Sequence, residues 1–369
     1  MANESIVDYS IDDLFSSTGI GSLDKAIGLN LHGINYQQAP TLVPRNKEQP
    51  GYVFFTRPQL NMQADNIRNV RQFYDLLSDD PVSLYRWVRC TLDPRLQAGY
   101  QYLDVQAPII DSPLVDNENP FIPILTNNLM TLTGWPEETM TFQRSKEDVY
   151  RGTRSQPNGV ALIHGSYTLN ATFRNTYSDP LIHLFHYWIL YMSCTTTLGT
   201  LRPYADFEAM NYLDCNTRIY RIVLDPQRER VTKIYATGAA TPSTNAVSQS
   251  ADFNRALPIS DINKDLTISF ECDGMYILDP ILYYTFNSVV ASFCSAMHDS
   301  VRDRAMVKLE KSEYNLFRSL CYPRIDPNSS MFELYVPVDV YRNRLASVSS
   351  ILEADAVPIP PVPAGGEWI

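Results

Sequence analysis

The amino-acid sequence predicts an α+β protein: a central antiparallel β-sheet with flanking helices and extended arms. Three observations carry this. Residues 166–173, Ser-Tyr-Thr-Leu-Asn-Ala-Thr-Phe, are apolar at every odd position and polar at every even one, the pattern of a strand with one buried face. Residues 217–224 and 231–237, joined through Asp225-Pro226-Gln227, read as a hairpin, and 266–272 alternates again. Residues 181–196 are apolar around most of a helical circumference, so the helix they form must be sandwiched between neighbours.

The remaining elements follow in order. Residues 1–50 mix short apolar groups with Gly19, Gly21, Gly28 and Gly33, then Pro40, Pro44 and Pro50, and read as a turn-rich arm. Residues 52–56 form a short strand stopped at Arg57-Pro58. Ile67, Val70, Phe73, Tyr74 and Leu77 recur at helical spacing until Asp79-Asp80-Pro81, and a second helical stretch covers 82–89. Prolines at 94, 108, 113, 120 and 123 make the next segment extended or turn-like, and the chain stays irregular to about residue 145. Asp179-Pro180 opens the apolar helix, with the carboxylate as N-cap and the proline at the first helical position. Residues 238–250 read as a small, polar, uncharged loop. Asp279-Pro280 repeats the capping device before the apolar stretch 281–297, and 300–320 is expected to be a charged helix.

Residues 357–363, Val-Pro-Ile-Pro-Pro-Val-Pro, are polyproline-like, and the tail is expected to dock on a partner through Pro358, Pro360, Pro361 and Trp368. The organisation expected is an N-terminal arm (1–50), a mixed, proline-rich region (51–158), a β domain (159–275), a C-terminal helical region (276–345) and the proline-rich tail (346–369).

Composition bounds the function. Of 369 residues, 44% are hydrophobic and 19% charged, enough to bury a sizeable core, and the length suits about two domains. With 30 basic and 41 acidic side chains the net charge is −11, which argues against a protein that grips nucleic-acid phosphates. The N-terminus lacks a basic region before an apolar run, and no apolar stretch is long enough to span a bilayer; a soluble, unsecreted chain without membrane insertion is expected. Cys90, Cys194, Cys215, Cys272, Cys294 and Cys321 are scattered with no C-x-x-C pair and read as reduced structural thiols.

Catalytic signals are weak throughout. His183 and His186 lie one helical turn apart, but the helix lacks the glutamate of H-E-x-x-H and no third ligand stands at useful spacing, so both read as buried or interfacial histidines. His164 precedes Gly165-Ser166 without a G-x-S-x-G elbow. The pairs Asp12-Asp13, Asp79-Asp80 and Glu137-Glu138 sit in turns and helix starts, where carboxylates cap backbone N–H groups. Gly19-Ile20-Gly21 lacks the rest of a phosphate loop. Arg68, Arg71, Arg86 and Arg89 alternate with acidic residues, as on a solvated or interface face. No catalytic residue, metal or cofactor is expected, and the protein reads as no enzyme.

The order of elements resembles the tail-tube fold of long-tailed bacteriophages, in particular the baseplate tube-initiator or tube-cap proteins of contractile tails. The resemblance covers residues 159–275 and rests on that order and on Gly165-Ser166-Tyr167, Asn170-Ala171-Thr172-Phe173, Gly238 with Pro242, and Phe253-Asn254. It implies a sheet that joins its neighbours' sheets around a sixfold ring, closing a barrel with a lumen wide enough for DNA and helices outside. The implied partners are further copies of the chain and other tail, baseplate or neck proteins, with DNA only in transient, non-specific passage. The implied location is the virion, in the tail or baseplate, after assembly in the host cytoplasm. The long N-terminal part, extra C-terminal helices and proline-rich tail suit a junction protein better than a repeating tube subunit.

Gly238, Thr241, Asn245, Ser248 and Phe253 are the expected subunit or ring-stacking contacts, and Phe185, Trp188 and Tyr191 the expected helix-packing or interface side chains. A neck, collar or capsid-associated role is the first alternative. The second is a cell-wall or glycan hydrolase, which requires a pocket that gathers distant carboxylates or histidines with shifted pKa values.

Overall fold

The computed structural model describes residues 46, 48–98, 109–147, 151–158, 165–197, 199–201, 214–253, 255–256, 264–317 and 320–355. Six antiparallel strands make the central sheet, in the order β1-β6-β7-β8-β5-β2. They are β1 (Gln49–Phe55), β2 (Leu129–Thr133), β5 (Ser166–Arg174), β6 (Ile219–Leu224), β7 (Val231–Pro242) and β8 (Asp265–Ile277). An exposed ribbon of β3 (Phe142–Arg144) and β4 (Ser155–Pro157) stands apart.

The principal helices are α1 (Leu84–Leu92), α2 (Pro123–Asn128), α3 (Pro180–Met192), α4 (Ile281–Phe293) and α5 (Val338–Asp355). The expected α+β class with a central antiparallel sheet is therefore the observed one.

Period-two burial builds the first core. Leu169, Ala171 and Phe173 of β5 and Leu266, Ile268, Phe270 and Cys272 of β8 point to one face and pack with Phe55 and Ile219 beneath α3. On its other side α3 meets α1 and the 3₁₀ turn Arg71–Leu77, with the Phe73 ring 6.1 Å from Tyr187 and 6.4 Å from Tyr191. The all-round apolar helix is thus buried between the sheet and a second helical layer, as its composition requires.

The second core lies on the opposite face, over only part of the sheet. Tyr220, Ile222 and Leu224 of β6 and Val231, Ile234 and Ala236 of β7 pack against Leu282, Phe286 and Val290 of α4. Phe54, Phe121 and Phe286 form a run of rings, 4.7 Å and 5.2 Å apart. A small sheet, β10-β11-β9, closes this side: β9 (Met306–Lys308), β10 (Tyr322–Ile325) and β11 (Phe332–Pro337). The rest of that face, on β5, β8 and the end of β7, has no helix over it among the described residues.

Several local expectations are corrected. Gly238–Pro242 is not loop but the end of β7, extended because it pairs with Phe270–Asp273 of β8. Within 300–320, instead of one helix, the chain forms the one-turn helices Arg302–Ala305 and Tyr314–Phe317 with β9 between them, since β9 gains a partner in β11. The stretch to 145 is not irregular throughout, because Leu129–Thr133 pairs with β5 as a sheet edge. Asp179 makes no side-chain cap: its backbone is left-handed (φ 51°) and its carboxylate accepts from Asn175 Nδ2 at 2.6 Å.

Candidate assembly surfaces

The uncovered half of the sheet presents a ladder of polar side chains that the same alternation places opposite the core. Ser166, Thr168, Asn170, Thr172 and Arg174 of β5 face Asp273, Glu271, Ser269, Thr267 and Asp265 of β8 in register. The Ser166 hydroxyl donates to Asp273 at 2.6 Å, Thr168 to Glu271 at 3.1 Å, and Ser269 to the Asn170 side-chain oxygen at 2.8 Å. Three carboxylates and one guanidinium give this surface an acidic balance. Exposed cross-strand pairs of this kind are each worth only about 0.2–1 kcal/mol. The ladder therefore does little for stability and leaves an exposed, negatively biased face.

The sheet ends at β1 and β2. On β2, Met130 is 56% exposed, Thr131 and Thr133 are exposed, and Leu129 and Leu132 are half-buried. Unpaired N–H and C=O groups on an edge strand are a template for another chain. A monomer blunts such edges with charge, and β2 carries none.

The expected stacking residues fall on different elements. Gly238 lies mid-strand beside Gly274, where β7 accommodates one extra residue against β6: Tyr220 pairs with Ala236, but Thr217 with Ala240. Gly274 takes φ +70°, and both strands change buried phase together, so Thr237 and Met275 face the core on one side of the step and Ala240 and Cys272 on the other. A Cβ on Gly238 would stand 2.6 Å from the Asp273 carbonyl oxygen. Gly238→Val is therefore expected to lower stability by about 2–3 kcal/mol, read as a shift of the urea midpoint; an unchanged midpoint would show that the step tolerates a side chain.

Thr241 bonds the Asn216 side chain at 2.7 Å, and Asn245 accepts from the Val247 N–H. Ser248 is exposed on the short helix Val247–Ala251, and Phe253 is 89% exposed. Phe185, Trp188 and Tyr191 are fully buried in the first core, so they serve helix packing inside the chain. Pro358, Pro360, Pro361 and Trp368 lie outside the described residues.

Two further features bear on chemistry. The His183 ring stands 5.5 Å from Tyr85, while burial and, secondly, His183 hold the His186 pKa below the ordinary imidazole value. Burial pushes Cys90 up to about 11 and Cys272 and Cys294 up to about 12, so these thiols stay protonated at neutral pH. Among the described residues no three His, Cys, Asp or Glu side chains gather as metal ligands, and no helix is long and apolar enough to cross a membrane.

Sequence reasoning missed Arg57, which it used only as a strand terminator. The guanidinium is buried and donates to the carbonyls of Cys90 (2.6 Å) and Thr91 (3.2 Å), with Nη1 3.3–3.4 Å from those of Asp116, Asn117 and Asn119. Burial lowers its pKa to about 10, against the nearby Cys90, Asp93 and Asp116. It thereby ties β1, α1 and the 116–119 turn together. Its only sequence trace is an arginine at the end of an apolar strand, which does not reveal acceptors up to 62 residues away.

A six-stranded sheet whose β2 edge pairs with no further strand among the described residues, whose β1 edge meets the 120–122 segment only at its end, and whose β5–β8 half-face is polar and exposed is suited to assembly with further copies. The chain matches, over residues 3–353, the family described as "Putative phage tail tube protein", and it belongs to that family. This places it among the structural proteins of the phage tail. No curated protein matches it.

Solved structures similar to part of the chain include the anti-feeding prophage cap (the tube terminating cap), at 11% identity over 48% of this chain and 97% of that one, with a TM-score of 0.26. Others are the sheath–tube complex of the extracellular contractile injection system PVC in its extended state (9% identity, 43% and 82%, TM-score 0.23) and the sheath/tube terminator of the same system (8%, 42% and 87%, TM-score 0.22).

Proposed function

We propose that the protein is a ring-forming subunit at the tube–baseplate junction of a contractile tail, a tube initiator or cap, with a lumen through which DNA passes. The observation that carries this reading is the six-stranded sheet with β1 and β2 as its edge strands, β1 engaged by the 120–122 segment only at its end, and an exposed acidic ladder between them. Joining β1 of one copy to β2 of the next satisfies both edges and turns six-stranded sheets into a continuous barrel wall. The ladder on β5 and β8 then lines the lumen, where its carboxylates repel DNA phosphates and keep the genome from sticking. The sixfold symmetry follows from the resemblance to tail-tube proteins, and further partners are tail and baseplate proteins.

Electron microscopy of the purified chain at high concentration tests the proposal. Rings or short stacked tubes are expected, and uniform monomers even with baseplate partners added would overturn it. Met130→Lys places a charge on the β2 edge at an exposed position. It is expected to change monomer stability by no more than about 0.5 kcal/mol while abolishing rings. Rings that form normally from this variant would show that β2 is not the joining edge.

A further inference from the structure

Among the described side chains, helix α5 packs into a core only at its start. Val340 and Tyr341 meet Leu309, Phe317 and Val336, the Tyr341 ring stacks 5.3 Å from Phe317, and its hydroxyl donates to Glu313 at 2.6 Å. Residues 342–346 are exposed without exception, Leu345 included at 39%. Five consecutive positions go once around a helix, so no face of α5 is buried there. Yet the helix runs on to Asp355. A stretch as short as 342–355 is marginal as a helix by itself in water, and its serines at 347, 349 and 350 are only middling helix formers. Packing an apolar face against a neighbour is what sustains such a helix.

The order of residues in that stretch identifies the neighbour. It runs Arg-Asn-Arg-Leu-Ala-Ser-Val from 342 and Ser-Ser-Ile-Leu-Glu-Ala-Asp from 349. From the two ends inward, arginine meets carboxylate twice, then leucine meets leucine and serine meets serine. Leu345, Val348 and Leu352 recur at spacings of three and four and share one helix face, with Arg342 and Glu353 on one flank of it and Arg344 and Asp355 on the other. Two such helices laid antiparallel bring like flanks together. Arg342 then stands opposite Glu353, Arg344 opposite Asp355, Leu345 opposite Leu352, and Val348 opposite its own copy at the twofold axis. The last turn of α5 holds carboxylates and no basic residue, an arrangement the helix dipole disfavours, and an antiparallel neighbour supplies the missing positive charge.

We propose that α5 is a self-recognition helix, pairing antiparallel with α5 of a second copy over residues 342–355. Neighbours in the sixfold ring differ by a sixth of a turn and not by the half-turn this contact needs, so it is separate from the joining of sheet edges.

The test is disulfide crosslinking of the full chain under mild oxidation at low concentration, read on a non-reducing denaturing gel against the parent chain, whose own six cysteines set the background. Val348→Cys is expected to give a band at twice the 42.0 kDa of one chain. Leu345→Cys should give none above background, and Leu345→Cys with Leu352→Cys should give the band again. Within the Val348→Cys chain, Arg342→Glu sets like charges opposite each other twice and should slow dimer formation about tenfold, and adding Glu353→Arg should restore it. These positions lie beyond Tyr341, the last residue packed on the body, so the fold is expected to be unaltered. No Val348→Cys band, Leu345→Cys crosslinking as fast as Val348→Cys, or no recovery on the charge swap would each overturn the proposal, whatever electron microscopy shows of rings.

Discussion

Trp188→Asp is expected to leave the chain unfolded and unable to form any ordered assembly. The Trp188 side chain is fully buried, its ring stacks 6.2 Å from Phe185, and its Nε1–H donates to the Cys215 carbonyl at 2.9 Å. Truncating a buried Trp costs about 3–5 kcal/mol, and stranding an ion in the apolar contact adds several more. Together these reach the whole stability of an ordinary protein, about 5–15 kcal/mol. Trp188→Phe keeps a ring and loses the donor, so it should stay folded with a loss of about 1–3 kcal/mol. Circular dichroism through a urea titration reads both, and a native-like midpoint for Trp188→Asp would contradict the burial of α3 between sheet and helices.

Arg57→Ala should cost about 3–5 kcal/mol, the range for removing one side of a buried charged network. The substitution leaves the carbonyls of Cys90, Thr91 and the 116–119 turn without their donor and frees that turn from α1. Arg57→Lys retains a charge but not the planar fork, and should fall between alanine and the parent. The folded-state pKa of Arg57, about 10, is depressed below its ordinary value, so the unfolded chain binds the proton more tightly only at high pH. Between about pH 6 and pH 9 both states are protonated, and the loss should not vary with pH. Urea midpoints across that range, together with protease cleavage near Asn117, measure it; an unchanged midpoint with no new cleavage would show that the carbonyls find other donors.

The legible parts of the fold are those written in consecutive residues. Alternation over 166–173 and 266–272 locates β5 and β8 and states which side chains face the core, because a strand sends neighbours to opposite faces. The same pattern names the polar ladder, although it does not say that nothing covers it. The composition of 181–192 demands neighbours on all sides of α3, and the chain supplies them. Less legible is the end of β7. Small, uncharged residues over 238–242 read as a loop, while two glycines facing each other across strands let both change phase without a clash.

Function was legible to a similar depth. Element order points to a tail-tube resemblance, and the chain belongs to a phage tail tube family. The residues expected at a stacking loop are instead spread between a strand step, an Asx turn, a short helix and an exposed ring. Nothing in 238–253 specifies which neighbours those side chains meet.

By itself, then, the sequence determined which segments are strands and helices with a buried side, since periodicity is a property of residues next to one another. Only the tertiary structure decided that Leu129–Thr133 forms one edge of the sheet, that β9 and β11 pair, and that Arg57 gathers carbonyls from α1 and from the 116–119 turn. Each depends on groups far apart in the chain, where the free energy comes from satisfying donors and acceptors together with burial, and no local pattern records the partner.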